Sequence, residues 1–152
     1  MVLWQKTRHA GAYKTLVDVH KQRSYDCVHC HSTGFGEVGG SNLYTLAQSE
    51  AGKPGSPDFR NVQCEVCHGP GSLHARSPSK IPVPIPKPTE DRCLTCHTKD
   101  HSDTFNFAAY LRDILGPGHG ADRREQLGDG PTGHELRQAA LKARGQAGGA
   151  GH

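Results

Sequence analysis

Apolar residues in this chain fall in short runs separated by Gly and Pro. Tyr13, Leu16 and Val17 repeat at helical spacing and predict a first helix from about Leu3 to Lys21 that presents His9. Ser32 to Gly40 reads as a Gly-rich loop, Ser41 to Ser49 as one short helix, and Gly52 to Pro57 as its end. From Pro78 to Pro88, Pro alternates with apolar residues, which predicts extended backbone without internal hydrogen bonds, wrapped over the surface. A proline-recognition motif is the alternative there. Phe105, Phe107, Tyr110, Leu111, Ile114 and Leu115 mark a helix from Asp103 to Leu115. Thr132 with Glu135 three residues on is a capping-box pattern that opens a helix to about Arg144. The reading is mainly α with long loops: one domain over 1–120, a C-terminal extension with a helix over 121–144, and a flexible Gly-rich tail over 145–152.

Composition makes this core thin. Only 34% of the 152 residues are apolar, six cysteines included, against 19 Gly and 10 Pro, so something other than side chains must fill the interior. The formal charge of +3 is modest and Lys and Arg are spread along the chain, which does not suggest nucleic acid. No stretch reaches the roughly 20 apolar residues of a membrane span, and Met1 to Lys6 lacks the apolar region of a signal peptide. We expect a soluble mature protein, or a fragment of a longer one, from which any export signal has been removed.

All six cysteines fall into Cys27-Val-His-Cys30-His31, Cys64-Glu-Val-Cys67-His68 and Cys93-Leu-Thr-Cys96-His97. Thiols at i and i+3 point the same way on one turn, so both can add to the vinyl groups of one porphyrin while the next residue reaches its iron. Zinc ribbons and redox disulfides also use Cys-x-x-Cys, but neither requires His after the second Cys. With His at 11 of 152 positions, three such coincidences arise by chance with probability on the order of 0.0004. No βαβ pattern surrounds a motif, which weakens a thioredoxin-like reading. The pattern implies three covalent haem c groups, dense enough to lie close together and to supply much of the missing core.

His31, His68 and His97 are then the proximal iron ligands. Methionine cannot serve on the far side, because Met1 is the only one. His9 sits among small residues that let a flat ring approach, His74 follows the turn Gly69-Pro70-Gly71, and His119 lies in Gly116-Pro117-Gly118-His119-Gly120 after an apolar helix. These three are the expected distal ligands. His101 shares a helical face with His97 and cannot reach the opposite side of the same haem. His29 points away from its own haem, though a neighbouring iron could use it, His20 and His134 read as solvent-facing, and His152 ends the tail.

The leading His-Ala-Gly-Ala-Tyr13 segment, Cys30-His31-Ser-Thr-Gly-Phe-Gly36, and Asn61-Val-Gln-Cys64-Glu-Val-Cys67-His68-Gly-Pro-Gly-Ser-Leu-His74 resemble multihaem cytochromes of the nitrifier tetrahaem electron-carrier type. The resemblance runs from about His9 to His119. It implies closely stacked, mostly His/His haems on short helices and long loops, with His9 and His74 as distal ligands. The chain departs from the pattern in having three motifs where the best-known member has four, so that member's substrate and partner do not carry over.

Function follows from the ligation. Closed His/His irons imply an electron-transfer protein, not an enzyme, that relays electrons between redox protein partners or to a membrane electron-transfer complex, in the periplasm or on the outer face of the cell. A second reading makes the chain a subunit or repeat of a larger haem-bearing complex or filament. A third, a small reductase with one open haem, has eight spare His and the lack of a Cys-x-x-Cys-Lys variant against it.

Overall fold

The computed structural model describes residues 3–145. Met1, His152 and all of the expected tail but Gly145 lie outside them. Nine α-helices occur among the described residues, without a strand: α1 (Ala12–Asp18), α2 (Tyr25–His31), α3 (Leu43–Glu50), α4 (Cys64–His68), α5 (Ser72–Arg76), α6 (Glu90–Leu94), α7 (Phe107–Ile114), α8 (Ala121–Gln126) and α9 (Gly133–Ala143). The architecture is therefore mainly α with long loops. No helix among the described residues is long and apolar enough to cross a membrane. The chain divides into two compact units: Arg8–Arg92, and the described residues before Arg8 together with those from Cys93 on.

The single helix expected from Leu3 to Lys21 is instead two 3-10 turns, Trp4–Lys6 and Arg8–Gly11, followed by α1. Thr7 is extended (φ −82°, ψ 159°), which breaks the first turn from the second. His20, at φ 57°, is left-handed and stops any continuation past α1.

Seven residues are too few to hold a helix alone, so α1 depends on packing. Its Tyr13 and Leu16 are buried with Val28 of α2 and Leu46 of α3, and Cys27, Phe35, Leu43 and Phe59 close around them. Fully burying an aliphatic side chain contributes about 1.5–3 kcal/mol, so this small cluster carries much of the unit. A distant residue completes the helix start: Asn61 Oδ1 accepts from the Tyr13 N–H at 2.9 Å, satisfying a donor that the first turn leaves orphaned. Asn61 has φ 73°, a left-handed conformation that Asn tolerates better than most side chains. Around it, Val62 N–H donates to the His9 carbonyl at 3.1 Å, and Thr33 Oγ1 donates to the Asn61 carbonyl at 2.8 Å. The approach to α4 is thus sewn to α1 and to the segment leaving α2.

Among the described residues from Cys93 on, α7 packs against α9. Asn106 is extended and its Oδ1 accepts from Ala109 N–H at 3.0 Å, so α7 begins at Phe107 and not at Asp103 as the apolar pattern predicts. The expected capping box is present: Thr132 accepts from Glu135 N–H while the Glu135 carboxylate accepts from Thr132 N–H at 2.7 Å. Arg112 fastens the connection between α8 and α9, its guanidinium donating to the carbonyls of Leu127, Gly128, Asp129 and Pro131. Helix α8 was not expected, because Ala-Asp-Arg-Arg-Glu-Gln offers no apolar period.

Candidate haem sites

Each Cys-x-x-Cys-His motif is folded as a helical turn. Cys27, Cys30 and His31 occupy the last turns of α2, and Cys64, Cys67 and His68 span α4. The third begins at the end of α6 and closes with Cys96 and His97 N–H groups both donating to the Cys93 carbonyl, at 3.1 and 2.9 Å. The two thiols of each motif therefore lie one turn apart on one side, as double attachment to one porphyrin requires. All six cysteines are free of disulfides, and all but the exposed Cys64 are half-buried. Among the described residues no group of three or more His, Cys, Asp or Glu side chains converges as a zinc site would.

The histidines share a further device. His31 Nδ1 lies 2.7 Å from the Ala12 carbonyl oxygen at the start of α1, and His68 Nδ1 lies 2.7 Å from that of Ile85. His74 Nδ1 lies 2.6 Å from the Ile81 carbonyl, and His119 Nδ1 lies 2.8 Å from that of Ile114. A carbonyl oxygen can only accept, so in all four rings Nδ1 carries the proton and Nε2 of the neutral ring keeps its lone pair. Such an anchor fixes both tautomer and ring orientation for a metal ligand. His97 meets a hydroxyl instead, Ser102 Oγ at 3.1 Å.

Local structure explains the anchors. The run expected to be extended from Pro78 instead opens with a turn at 78–80, where Lys80 and Ile81 N–H donate to the Ser77 carbonyl, and continues irregularly with bends through residues 81–86; outside helix and sheet, the Ile81 and Ile85 carbonyls accept from the imidazoles. Gly69, at φ 77° after α4, lets that segment come close: a Cβ there would stand 3.2 Å from Pro84 Cβ. Cys64, His68, Gly69, His74 and Val83 line a common cavity of about 280 Å³. His119 is anchored within the turn Gly116–His119, whose two residues exchange N–H to carbonyl bonds of 2.9 Å.

The other nominated residues divide. His9 is half-buried in the Arg8–Gly11 turn, its carbonyl holding Val62. His20, His29, His101 and His134, none of them among the ligands expected from sequence, are exposed, and His134 lies in the first turn of α9 with its N–H donating to Asp113 Oδ2 at 2.9 Å. The residues missed from sequence are the acceptors Ala12, Ile81, Ile85, Ser102 and Ile114. Only the proline spacing around residues 81 and 85 hinted at free carbonyls.

Beside the core, Arg23 pairs with Glu50, and both reach the Tyr13 hydroxyl at 3.2 Å. Burial first, then the neighbouring Glu50 carboxylate, push the Tyr13 phenol above its ordinary value, with Arg23 opposing.

Thiol pairs on single turns, each followed by an imidazole with a set orientation, are the arrangement by which c-type cytochromes hold haem covalently. Residues 1–69 match the family described as cytochrome c554 and c-prime, a stretch that holds His9 and the first two motifs. Over 83 residues, 45% of this chain and 32% of the relative, the sequence is 35% identical to cytochrome c-554 of Nitrosomonas europaea. The chain spans about a third of the length of that relative. No solved structure matches it. The protein is similar to that family over residues 1–69, and its third motif lies beyond the residues the family match covers.

Proposed function

We propose that this chain is an electron-transfer protein that carries three haem c groups and relays electrons between redox partners outside the cytoplasm. Bound haem c supplies a one-electron ferric/ferrous couple. The cysteines of each motif tether it, and His31, His68 and His97 hold the proximal side. His9, His74 and His119 are assigned to the distal sides. The observation that carries the reading is the shared anchoring of His31, His68, His74 and His119: nominated proximal and distal rings alike have Nδ1 committed to a carbonyl, the tautomer that places the lone pair of a neutral ring on Nε2, as an iron ligand needs. Similarity to cytochrome c-554 supports it independently.

Two protein ligands on each iron leave no position for a substrate, so the residues bind, orient and insulate and do no further chemistry. The test is the visible spectrum of the dithionite-reduced protein before and after carbon monoxide, with a pyridine haemochrome count. Three haems per chain with sharp low-spin bands indifferent to carbon monoxide are expected. A shift on one haem would mean an open iron and hand the lead to the small reductase.

A further inference from the structure

The three motif histidines are not held alike. His31 and His68 meet main-chain carbonyls at 2.7 Å, His31 with the Thr15 hydroxyl also at 3.2 Å, whereas His97 Nδ1 meets the Ser102 hydroxyl at 3.1 Å. Ser102 is 7% exposed, so bulk water does not compete freely for its oxygen. Its Oγ lies 3.0 Å from the Tyr110 hydroxyl, which in turn lies 3.3 Å from Thr104 Oγ1. His97, Ser102 and Tyr110 thus form a chain of hydroxyls ending on an imidazole.

The surroundings hold that chain in place. Phe105 stacks on the His97 ring at 5.2 Å, and Tyr110 meets the edges of both rings, at 5.0 Å from His97 and 4.9 Å from Phe105. Helix α9 begins directly on the Tyr110 ring, where a Cβ on Gly133 would stand 2.3 Å from Tyr110 Cδ2. Tyr110 has little room to swing away from Ser102.

Acceptor strength at Nδ1 matters to an iron on the opposite ring nitrogen. The more strongly Nδ1–H is pulled, the more electron-rich the imidazole becomes and the better it stabilises ferric over ferrous iron. An amide carbonyl at 2.7 Å pulls harder than a hydroxyl at 3.1 Å. The hydroxyl gains strength as an acceptor by passing its own proton on to a neighbour, which Tyr110 is placed to receive.

We propose that Ser102 and Tyr110 are positioning residues that set the donor strength of His97, giving the haem tethered at Cys93 and Cys96 a more positive reduction potential than a carbonyl anchor would. This rests on the reading of His97 as an iron ligand. It makes the third haem chemically distinct from the other two through its protein partners alone.

Spectropotentiometric titration of the holoprotein tests it, with Ser102→Ala, Tyr110→Phe and Ser102→Thr compared with the parent. Both Ala and Phe are smaller than what they replace, and Phe keeps the ring contacts. Ser102→Ala should move one of the three one-electron waves to more positive potential and leave the other two in place. Tyr110→Phe should move the same wave in the same direction by less, and Ser102→Thr, which restores a hydroxyl, should return it. Three unmoved waves in variants that still carry three low-spin haems would overturn the inference and leave the proposed function standing. Equal movement of all three would also overturn it, as a general structural effect. Fewer than three haems in the parent would remove the proposed function itself, and the inference with it.

Discussion

His68 and Ile85 hold each other twice. Ile85 N–H donates to the His68 carbonyl at 2.9 Å, and the His68 ring Nδ1–H donates back to the Ile85 carbonyl at 2.7 Å. Main chain and side chain of one residue are thereby locked to the main chain of another, 17 positions away. Replacing Ile85 by Pro removes one of the two donors without touching the ring's acceptor. The expected cost is about 1 kcal/mol in a denaturant melt of the holoprotein. Ile85→Val keeps both bonds and should lose clearly less; equal losses would mean that side-chain packing, not the reciprocal pair, holds the segment.

The assigned distal ligands separate spectroscopically. His74→Ala and His119→Gly should each convert one iron from low spin to high spin and open it to carbon monoxide, and His9→Ala should do the same at another. The reduced visible spectrum with and without carbon monoxide reads this directly, and a variant with an unchanged spectrum strikes that histidine from the ligand set.

Asn61 has two duties, a left-handed φ of 73° and the cap on Tyr13 N–H. Asn61→Ala loses both and should cost about 2 kcal/mol, the sum of a lost cap and the strain of a side chain at positive φ. Asn61→Gly loses the cap alone and should cost about half as much. Thermal or urea melts of the two variants separate the contributions.

Tyr13 predicts an alkaline limit. Its phenol is held above the ordinary 10.0 by burial and by Glu50, so the folded state retains its proton longer than the unfolded state does. That contribution is fully present below about pH 10 and is lost as pH rises through the raised folded value. Melts repeated between neutral and strongly alkaline pH should show this decline. Tyr13→Phe, less stable at neutral pH by about 1 kcal/mol, should show less of it.

What could be read in the sequence was local. The Thr132–Glu135 box, the apolar face of α7 and the three motif turns each depend on residues within four positions of one another, and each forms close to where the pattern places it. The failures trace to partners far along the chain or to single backbone angles. Thr7 and His20 divide a periodic stretch through φ and ψ values that no spacing reveals. Asn61 caps a helix 48 residues before it, and Ala12 anchors a ring 19 residues after it. Main-chain acceptors carry no residue-type signature, so the ligands could be nominated from sequence but the groups that orient them could not.

That last point bears on how the sites drift over time. A carbonyl oxygen survives almost any substitution at its own residue, so the orientation of His31, His68, His74 and His119 is buffered against mutation at Ala12, Ile85, Ile81 and Ile114, provided the backbone keeps its path. Ser102 has no such protection: one nucleotide change can remove the oxygen that His97 faces. Among homologous chains the carbonyl-held histidines should tolerate varied neighbours, while the position equivalent to Ser102 is where one haem can be retuned in a single step without rebuilding the fold.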